Sequence, residues 1–310
     1  MTPCDDIKTT IEIQLDQNEK RAIYVLFDPA ASESLPAELF LKEDQPDYQP
    51  LFMETEFAEL VYASPYLVKV TEDSPFLDWC IEQAEATNNH LFPIIYLSSH
   101  SFETQLTHWR SLLKVNTPEG EPMLFRFADP RVLFAYLGAS KPEQQQLLLG
   151  PVEGLFIQAE ANTWFSLNNA AAADFQLNPQ LTMPWLKLTD KQVEAFDIQA
   201  QLNLSWQMVE HLKEEQADLV EGQTDHDLQE MTYKGLQKGA KYGLTDEVDL
   251  ISFVVMMFVV APNFAEQPGI KARLTDESIP EDERFEYMVE TTTEEEWEAA
   301  VEAYDIDAWD

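Results

Sequence analysis

Residues 121–138 read EPMLFRFADPRVLFAYLG and predict a strand that turns into a helix. In MLFRF (123–127), alternate side chains would face opposite sides of a strand, which places Arg126 within a sheet. Asp129 followed by Pro130 is typical of the cap and first position of a helix. The stretch therefore predicts a strand-to-helix corner with an arginine on its strand.

Two arginines stand in this corner although the chain has only 19 Lys and Arg against 57 Asp and Glu. If the face that carries Arg126 is covered, its guanidinium needs a carboxylate, and Asp28 and Asp129 are the candidates. Arg131 falls in the first turn of the helix, where the macrodipole disfavours a cation by roughly 0.3–1 kcal/mol, so Asp129 is expected beside it. Two interpretations stay open for both arginines, a structural ion-pair network or direct contact with a partner.

The formal net charge of −38 excludes generic nucleic-acid and membrane-surface binding, because phosphates and anionic lipids would be repelled. Partners should instead be basic, or neutral and apolar. Cys4 and Cys80 have no metal-ligand spacing and fit a reducing compartment, for which the cytoplasm is the default. We expect no export signal, and the longest apolar run, 250–261, is too short to cross a bilayer.

Strands and helices alternate before residue 150, which predicts an α+β fold whose N-terminal α/β lobe (1–170) surrounds a mixed sheet. Apolar and polar residues alternate over 11–15, as in a half-buried strand. AIYVLF (22–27) is apolar throughout, as a central strand would be, and Asp28 with Pro29 after it predicts a helix start. Further strands are predicted at FPIIYL (92–97), GLFIQA (154–159) and TWFSL (163–167).

The composition turns to small and polar residues over 168–184, which predicts a linker. Apolar residues then recur at helical spacing, so 185–265 should form an all-helical lobe with the run 250–261 at its buried centre. Residues 266–310 should be an acidic tail, partly helical or mobile.

The tail has 15 acidic residues and one basic residue after position 275. Trp297, Val301 and Tyr304 are spaced as on one face of a helix, which is either packed on the body or offered to a partner. Trp297 and Tyr304 are therefore candidate partner-binding residues. Deleting 283–310 should then weaken binding or solubility and leave the fold intact.

A second basic feature is a stripe of three lysines, Lys234, Lys238 and Lys241, at helical spacing. The stripe is either a solvated face paired with nearby carboxylates or a docking stripe for an acidic partner.

Motifs of nucleophilic, metal and nucleotide chemistry are missing from the sequence: it has no GxSxG, HExxH, CxxC or glycine-rich phosphate loop. The five histidines are scattered, although His100 and His108 can converge in a fold. We therefore predict no enzyme activity, no cofactor and no metal.

Seven motifs, among them YVLFDPA (24–30), LFRFADPRVL (124–133) and GPVEGLF (150–156), together resemble a bacterial domain-of-unknown-function family whose members act as type VI secretion effector chaperones, or adaptors. The most specific is FRFADPR with GPVEGLF behind it. The full set is YVLFDPA (24–30), PLF (50–52), SPYLVKV (64–70), SPFLDW (74–79), LFRFADPRVL (124–133), GPVEGLF (150–156) and KGLQKGAKYGLT (234–245).

This resemblance implies binding and not catalysis. Family members hold a toxin, usually by its N-terminal part, help load it on the VgrG spike or its PAAR tip, and stay in the cytoplasm. An alternative is an acidic immunity protein or nucleic-acid mimic that inhibits a basic toxin. The family signature falls on Pro65, Tyr66, Leu67, Arg126, Asp129, Pro130 and Arg131.

Overall fold

The first part of the chain is built on a seven-stranded sheet with helices on both faces. The structure is a computed structural model that describes residues 1–29, 34–86, 93–158, 163–178 and 182–309, with the backbone alone at 85 and 86. The elements of this part, in chain order, are β1 (Thr2–Cys4), α1 (Ile7–Gln17), β2 (Ala22–Phe27), α2 (Ser34–Lys42), β3 (Asp47–Pro50), β4 (Tyr66–Val70), α3 (Pro75–Ala86), β5 (Ile94–Ser98), α4 (Phe102–Ser111), β6 (Lys114–Asn116), β7 (Pro122–Leu124), α5 (Pro130–Ala139), α6 (Pro142–Leu149), β8 (Gly154–Gln158) and β9 (Trp164–Asn168).

Strands of the large sheet follow the order β1-β9-β8-β5-β2-β4-β3, while β6 and β7 form a separate hairpin. Every neighbouring pair in the large sheet is antiparallel. The α+β class is confirmed, but the prediction of a mixed sheet is wrong. Alternation of strands with helices is typical of parallel crossovers, yet it does not fix the direction in which each strand returns.

Both faces of the sheet carry a core, and β2 contributes to each. Ile23, Val25 and Phe27 pack with α1, α2 and α3, whereas Tyr24 and Leu26 pack with α4 and α5. Because successive side chains of a strand point to opposite faces, a strand covered on both sides is apolar throughout. The central position predicted for AIYVLF is therefore confirmed.

The strand predicted over 11–15 is wrong, because these residues lie in helix α1. Asp6 caps this helix by accepting a bond of 3.0 Å from the backbone N–H of Thr9. Ile7 and Ile11, one turn apart, are buried, and Ile13 points to solvent. The apolar residues at 11, 13 and 15 belong to a helical pattern that begins at Ile7, and within so short a segment this pattern looks like alternation.

The helix start predicted at Asp28 and Pro29 is also wrong. Helix α2 begins at Ser34, and residues 30–33 lie outside the described part of the chain. Asp28 is buried and bonds to Arg126 instead.

The long elements of the described residues after β9 are helices: α7 (Asp190–Glu215), α8 (Asp225–Lys241), α9 (Glu247–Val259), α10 (Pro268–Leu274), α11 (Arg284–Thr291) and α12 (Glu294–Glu302). Two compact units result, Met1–Asp197 and Ile198–Asp310, so their boundary falls within α7 and after the linker predicted at 168–184. Leu186 and Leu188 are buried in the core of the first unit, which explains why that unit extends further. None of the helices among the described residues combines the length and apolarity needed to cross a bilayer.

The predicted tail is a structural part of the second unit. Phe285, Met288 and Trp309 are buried in one cluster with Phe253 and Met257 of α9. This packing contradicts the expectation that 283–310 can be removed without loss of the fold. Because acidic residues dominate the composition of this segment, its buried apolar residues are difficult to recognise in the sequence. Their burial stabilises the unit.

Helix α9 is less enclosed than its sequence predicts. Phe253, Val254 and Met257 are buried, whereas Val248 and Val259 are exposed.

Candidate partner-binding site

The predicted corner exists, but Arg126 does not belong to a strand. Strand β7 ends at Leu124, and the chain then turns through a bond of 3.0 Å from the backbone N–H of Asp129 to the carbonyl of Arg126. Phe125 and Phe127 are buried in the core of the first unit. These two aromatic residues anchor the turn, so Arg126 lies on an irregular segment held in place from both sides.

Asp28 is the partner of Arg126. Its Oδ2 accepts bonds of 2.9 Å from Nη2 and 3.3 Å from Nε of the guanidinium. Burial by itself would lower the pKa of Arg126, but the bond to Asp28 and the charges of Asp28 and Asp129 outweigh it and raise this pKa. Asp28 is buried, while half of the Arg126 side chain is exposed to solvent. The guanidinium is thus charged, oriented and accessible.

Asp129 serves as both helix cap and ion-pair partner. Its Oδ1 accepts bonds of 3.0 Å from the backbone N–H and from Nε of Arg131, and its Oδ2 lies 2.6 Å from Nη2. The carboxylate expected beside Arg131 is present, and it offsets the cost of a cation in the first turn of α5. The predicted ion-pair network is therefore observed, and contact of the two arginines with a partner stays a prediction.

Tyr66, the first residue of β4, belongs to a row of aromatic rings that crosses four elements. Its ring stacks on Phe27 at 5.2 Å and on Tyr48 at 5.8 Å between ring centroids. Tyr48 in turn meets the ring of Phe40 edge-on at 5.1 Å. The row starts in the core and ends at a half-exposed Phe40 on α2. Burial raises the pKa of Tyr66.

This row and the arginine corner meet at one end of the sheet. Phe27 is the last residue of β2 and is paired with Tyr66, and Asp28, which follows it, holds Arg126. The structure thus links Tyr66 and Arg126 through two consecutive residues, and Asp129 and Arg131 adjoin Arg126. Sequence reasoning missed Tyr48 and Phe40, although aromatic residues recurring among carboxylates between 38 and 62 were a signal for them.

The lysine stripe lies on α8, in the second unit. Lys234 forms an ion pair of 3.0 Å with Glu230, one turn earlier. Lys238 and Lys241 fall in the last turn, where cations complement the helix dipole. These contacts fit a face paired with the carboxylates of the chain, and docking to an acidic partner stays a prediction.

Trp297 and Tyr304 do not share a helical face, because α12 ends at Glu302. Trp297 is partly buried and its ring lies 6.2 Å from that of Phe264. Tyr304 is exposed. The structure thus gives Trp297 a packing contact and leaves Tyr304 accessible.

A polar pocket of about 410 Å³ lies beside α1 and contains an internal ion pair. Arg21 Nε is 2.6 Å from Oε2 of Glu153, whose other oxygen accepts a bond of 2.7 Å from the backbone N–H of Ser99. Burial by itself would raise the pKa of Glu153, but these bonds outweigh it and lower this pKa. The pair fixes the GPVEGLF motif against β5 and serves a structural role.

His100 and His108 both contact Phe175 edge-on, with ring centroids 5.9 and 5.4 Å from it. Each Nε2–H donates 2.7 Å to a backbone carbonyl, of Ala172 and of Leu148 respectively. His90 lies outside the described residues. Within the described ranges, no group of three or more His, Cys, Asp or Glu side chains could hold a metal ion.

Comparison with known proteins places this site in a recognised domain. Residues 23–147 match DUF4123, described as a domain of unknown function. The chain is 27% identical over 126 residues to the accessory protein VasW of Vibrio cholerae serotype O1 (strain ATCC 39315 / El Tor Inaba N16961), which covers 41% of this chain and 40% of that protein. The alignment therefore spans less than half of the relative's length. No solved structure matches the chain.

These two matches, which cover the N-terminal part of the chain, agree with the resemblance of the motifs to type VI secretion effector chaperones and adaptors. Residues 23–147 are the part of the chain that is similar to DUF4123. This segment contains Tyr66, Arg126, Asp129 and Arg131, so the signature residues lie within the match.

Proposed function

We propose that this protein is a non-enzymatic chaperone, or adaptor, that binds a type VI secretion effector in the cytoplasm and promotes its loading on the VgrG/PAAR spike. The observation that carries the proposal is the arginine corner within the DUF4123 domain, where Arg126 is held by Asp28 and keeps half of its side chain exposed.

The charged groups of the corner favour binding over catalysis. Asp28 and Asp129 are both buried and both bonded to guanidinium groups. Each carboxylate is directed at an arginine and away from solvent. A fixed and partly exposed guanidinium is instead well suited to recognise a carbonyl or carboxylate of a protein partner.

The charge of the chain supports a basic partner. A net charge of −38 creates a negative potential that accelerates association with cationic segments and weakens as salt is added. Neither comparison favours the alternative of an immunity protein or nucleic-acid mimic.

The test is co-expression with the toxins and the VgrG and PAAR proteins encoded beside its gene. We expect one toxin to co-purify with the chain and a spike component to join this pair. Failure of every candidate to co-purify at low and moderate salt would refute the proposal. Inhibition of the toxin and protection of the producing cell would indicate an immunity protein instead.

A further inference from the structure

Five large apolar side chains are exposed in the segment that contains β3, the edge strand of the sheet, and we call them the edge patch: Phe40, Leu41, Met53, Leu60 and Tyr62. Phe40 is 50% exposed, Leu41 77% and Tyr62 78%. All five occur within 23 consecutive residues. Clustered exposed apolar residues on a folded domain are typical of an interaction surface.

Two members of the edge patch, Phe40 and Met53, have contacts with β3, and the loop that carries Met53 is closed at its base. Phe40 is fixed by its edge-on contact with Tyr48 on β3. The loop between β3 and β4 is closed at its base by a bond of 2.8 Å from the backbone N–H of Leu51 to the carbonyl of Pro65. Leu51 and Phe52 of this loop are buried. Met53 lies back against β3, where its sulfur accepts a bond of 3.0 Å from Gln49.

The surroundings of the edge patch are acidic. Residues 38–62 contain seven carboxylates and one basic residue, Lys42. Some of the carboxylates are paired, such as Glu56 with Lys114 at 2.7 Å. Asp44, Asp47 and Glu59 are exposed and, within the described part of the chain, form no ion pair. The electrostatic complement of this surface is a cationic segment that also carries apolar side chains.

We propose that the edge patch is the docking surface for a segment of the effector in which Lys or Arg residues are interspersed with Leu or aromatic residues. This proposal rests on the proposed function, because it says where and by which chemistry the effector is held. The row of rings from Phe40 to Tyr66 connects the edge patch to the arginine corner, so both belong to one end of the same sheet.

We expect the partner segment to bind through its side chains and not by pairing as an extra strand with β3. Strand β3 has four residues and ends in Pro50, which has no N–H to donate. Short edge strands with proline resist pairing with another strand. A second copy of the chain is a poor occupant, because two surfaces with the same excess of carboxylates repel each other.

The first test uses the full chain and three synthetic peptides: one of alternating Lys and Leu blocks, one with Glu in place of Lys, and one with Ser in place of Leu. Fluorescence anisotropy should show binding of the Lys/Leu peptide at least about tenfold tighter than of the other two. Equal binding of all three peptides, or of none, would overturn the proposal.

The second test removes the edge patch. The double variant Leu41→Ser/Tyr62→Ser should weaken binding of the Lys/Leu peptide by about tenfold or more. Leu147→Ser is the matched control, since Leu147 is 53% exposed on α6 of the same unit, and it should leave affinity unchanged. Asp44→Lys/Glu59→Lys should also weaken binding, whereas Glu119→Lys in an exposed turn should not. Equal effects of patch and control variants would refute the assignment.

The same variants separate this proposal from the proposed function. If a toxin encoded beside the gene binds the wild-type chain and the Leu41→Ser/Tyr62→Ser variant equally, the adaptor role stands and the edge patch is not its docking surface. If no such toxin binds but the Lys/Leu peptide does, the adaptor role fails and the effector is ruled out as the occupant, while the edge patch remains a binding surface for cationic, apolar segments. Sedimentation that shows a dimer dissociated by the patch variant would overturn the effector assignment in favour of a second copy.

Discussion

Asp129 has two separable roles at the residue scale, as cap of α5 and as partner of Arg131. Asparagine retains the capping oxygen but not the charge, so Asp129→Asn should lower the free energy of unfolding by about 1 kcal/mol. Asp129→Ala removes both roles and should lower it by about 2–3 kcal/mol. Urea unfolding measures both values, and equal stability of the two variants and the wild type would contradict the roles assigned.

His108 gives the fold a defined dependence on pH. Burial lowers the pKa of its imidazole to about 4, with a smaller opposing effect from its bond to Leu148. Between this pKa and the ordinary one near 6.5, the unfolded chain binds a proton that the folded chain does not, so acid favours unfolding.

We expect the stability of the wild type to fall by about 2 kcal/mol more than that of His108→Gln between about pH 7 and about pH 5. Glutamine keeps a donor for the carbonyl of Leu148 and does not titrate. Urea unfolding at each pH gives the slopes, and parallel slopes for the two proteins would contradict a neutral buried imidazole.

At the scale of elements, the C-terminal helices carry core residues under an acidic surface. Phe285 on α11 is buried, while Tyr304 beyond α12 is exposed. Phe285→Ala should therefore destabilise the chain by about 3–5 kcal/mol, and Tyr304→Ala by less than about 0.5 kcal/mol. Thermal unfolding followed by circular dichroism compares them. If Phe285→Ala left the stability unchanged, this segment would be a removable tail and not part of the core.

The elements that the sequence predicted well were those with a strong local signal. AIYVLF had to be central because it is apolar on both faces. Asp129 with Pro130 was followed by an apolar helical run and does begin a helix, whereas the same pair at Asp28 and Pro29 does not. The segment 11–15 was misread because five residues do not distinguish a period of two from part of a helical period. Arg126 was assigned to a strand because alternation continues past Leu124, where pairing with β6 ends.

The part of the candidate site that has a strong local signal in the sequence was also predictable. The ion pairs of Arg126 and Arg131 followed from the cost of an unpaired charge and from the helix dipole. The row of rings from Phe27 to Phe40 joins residues on β2, β4, β3 and α2. These residues come together only because of the order of the strands in the sheet, and that order cannot be predicted from the spacing of residues in the sequence.

For the whole molecule, charge predicts how binding responds to salt. If a cationic segment docks on this acidic chain, the association rate should fall by about tenfold or more between about 50 mM and about 300 mM salt, with a smaller change in the dissociation rate. Stopped-flow measurements on the complex give both rates. An association rate independent of salt would contradict electrostatic steering.

The proposed role of the chain as an adaptor for a secreted effector is tested most directly by reconstitution from three purified components. We predict that the toxin encoded beside the gene binds this chain in a stable complex, stays enzymatically active, and joins the VgrG/PAAR spike only when the chain is present. Spike assembly that proceeds equally well without the chain, or a toxin silenced by it, would contradict the claim.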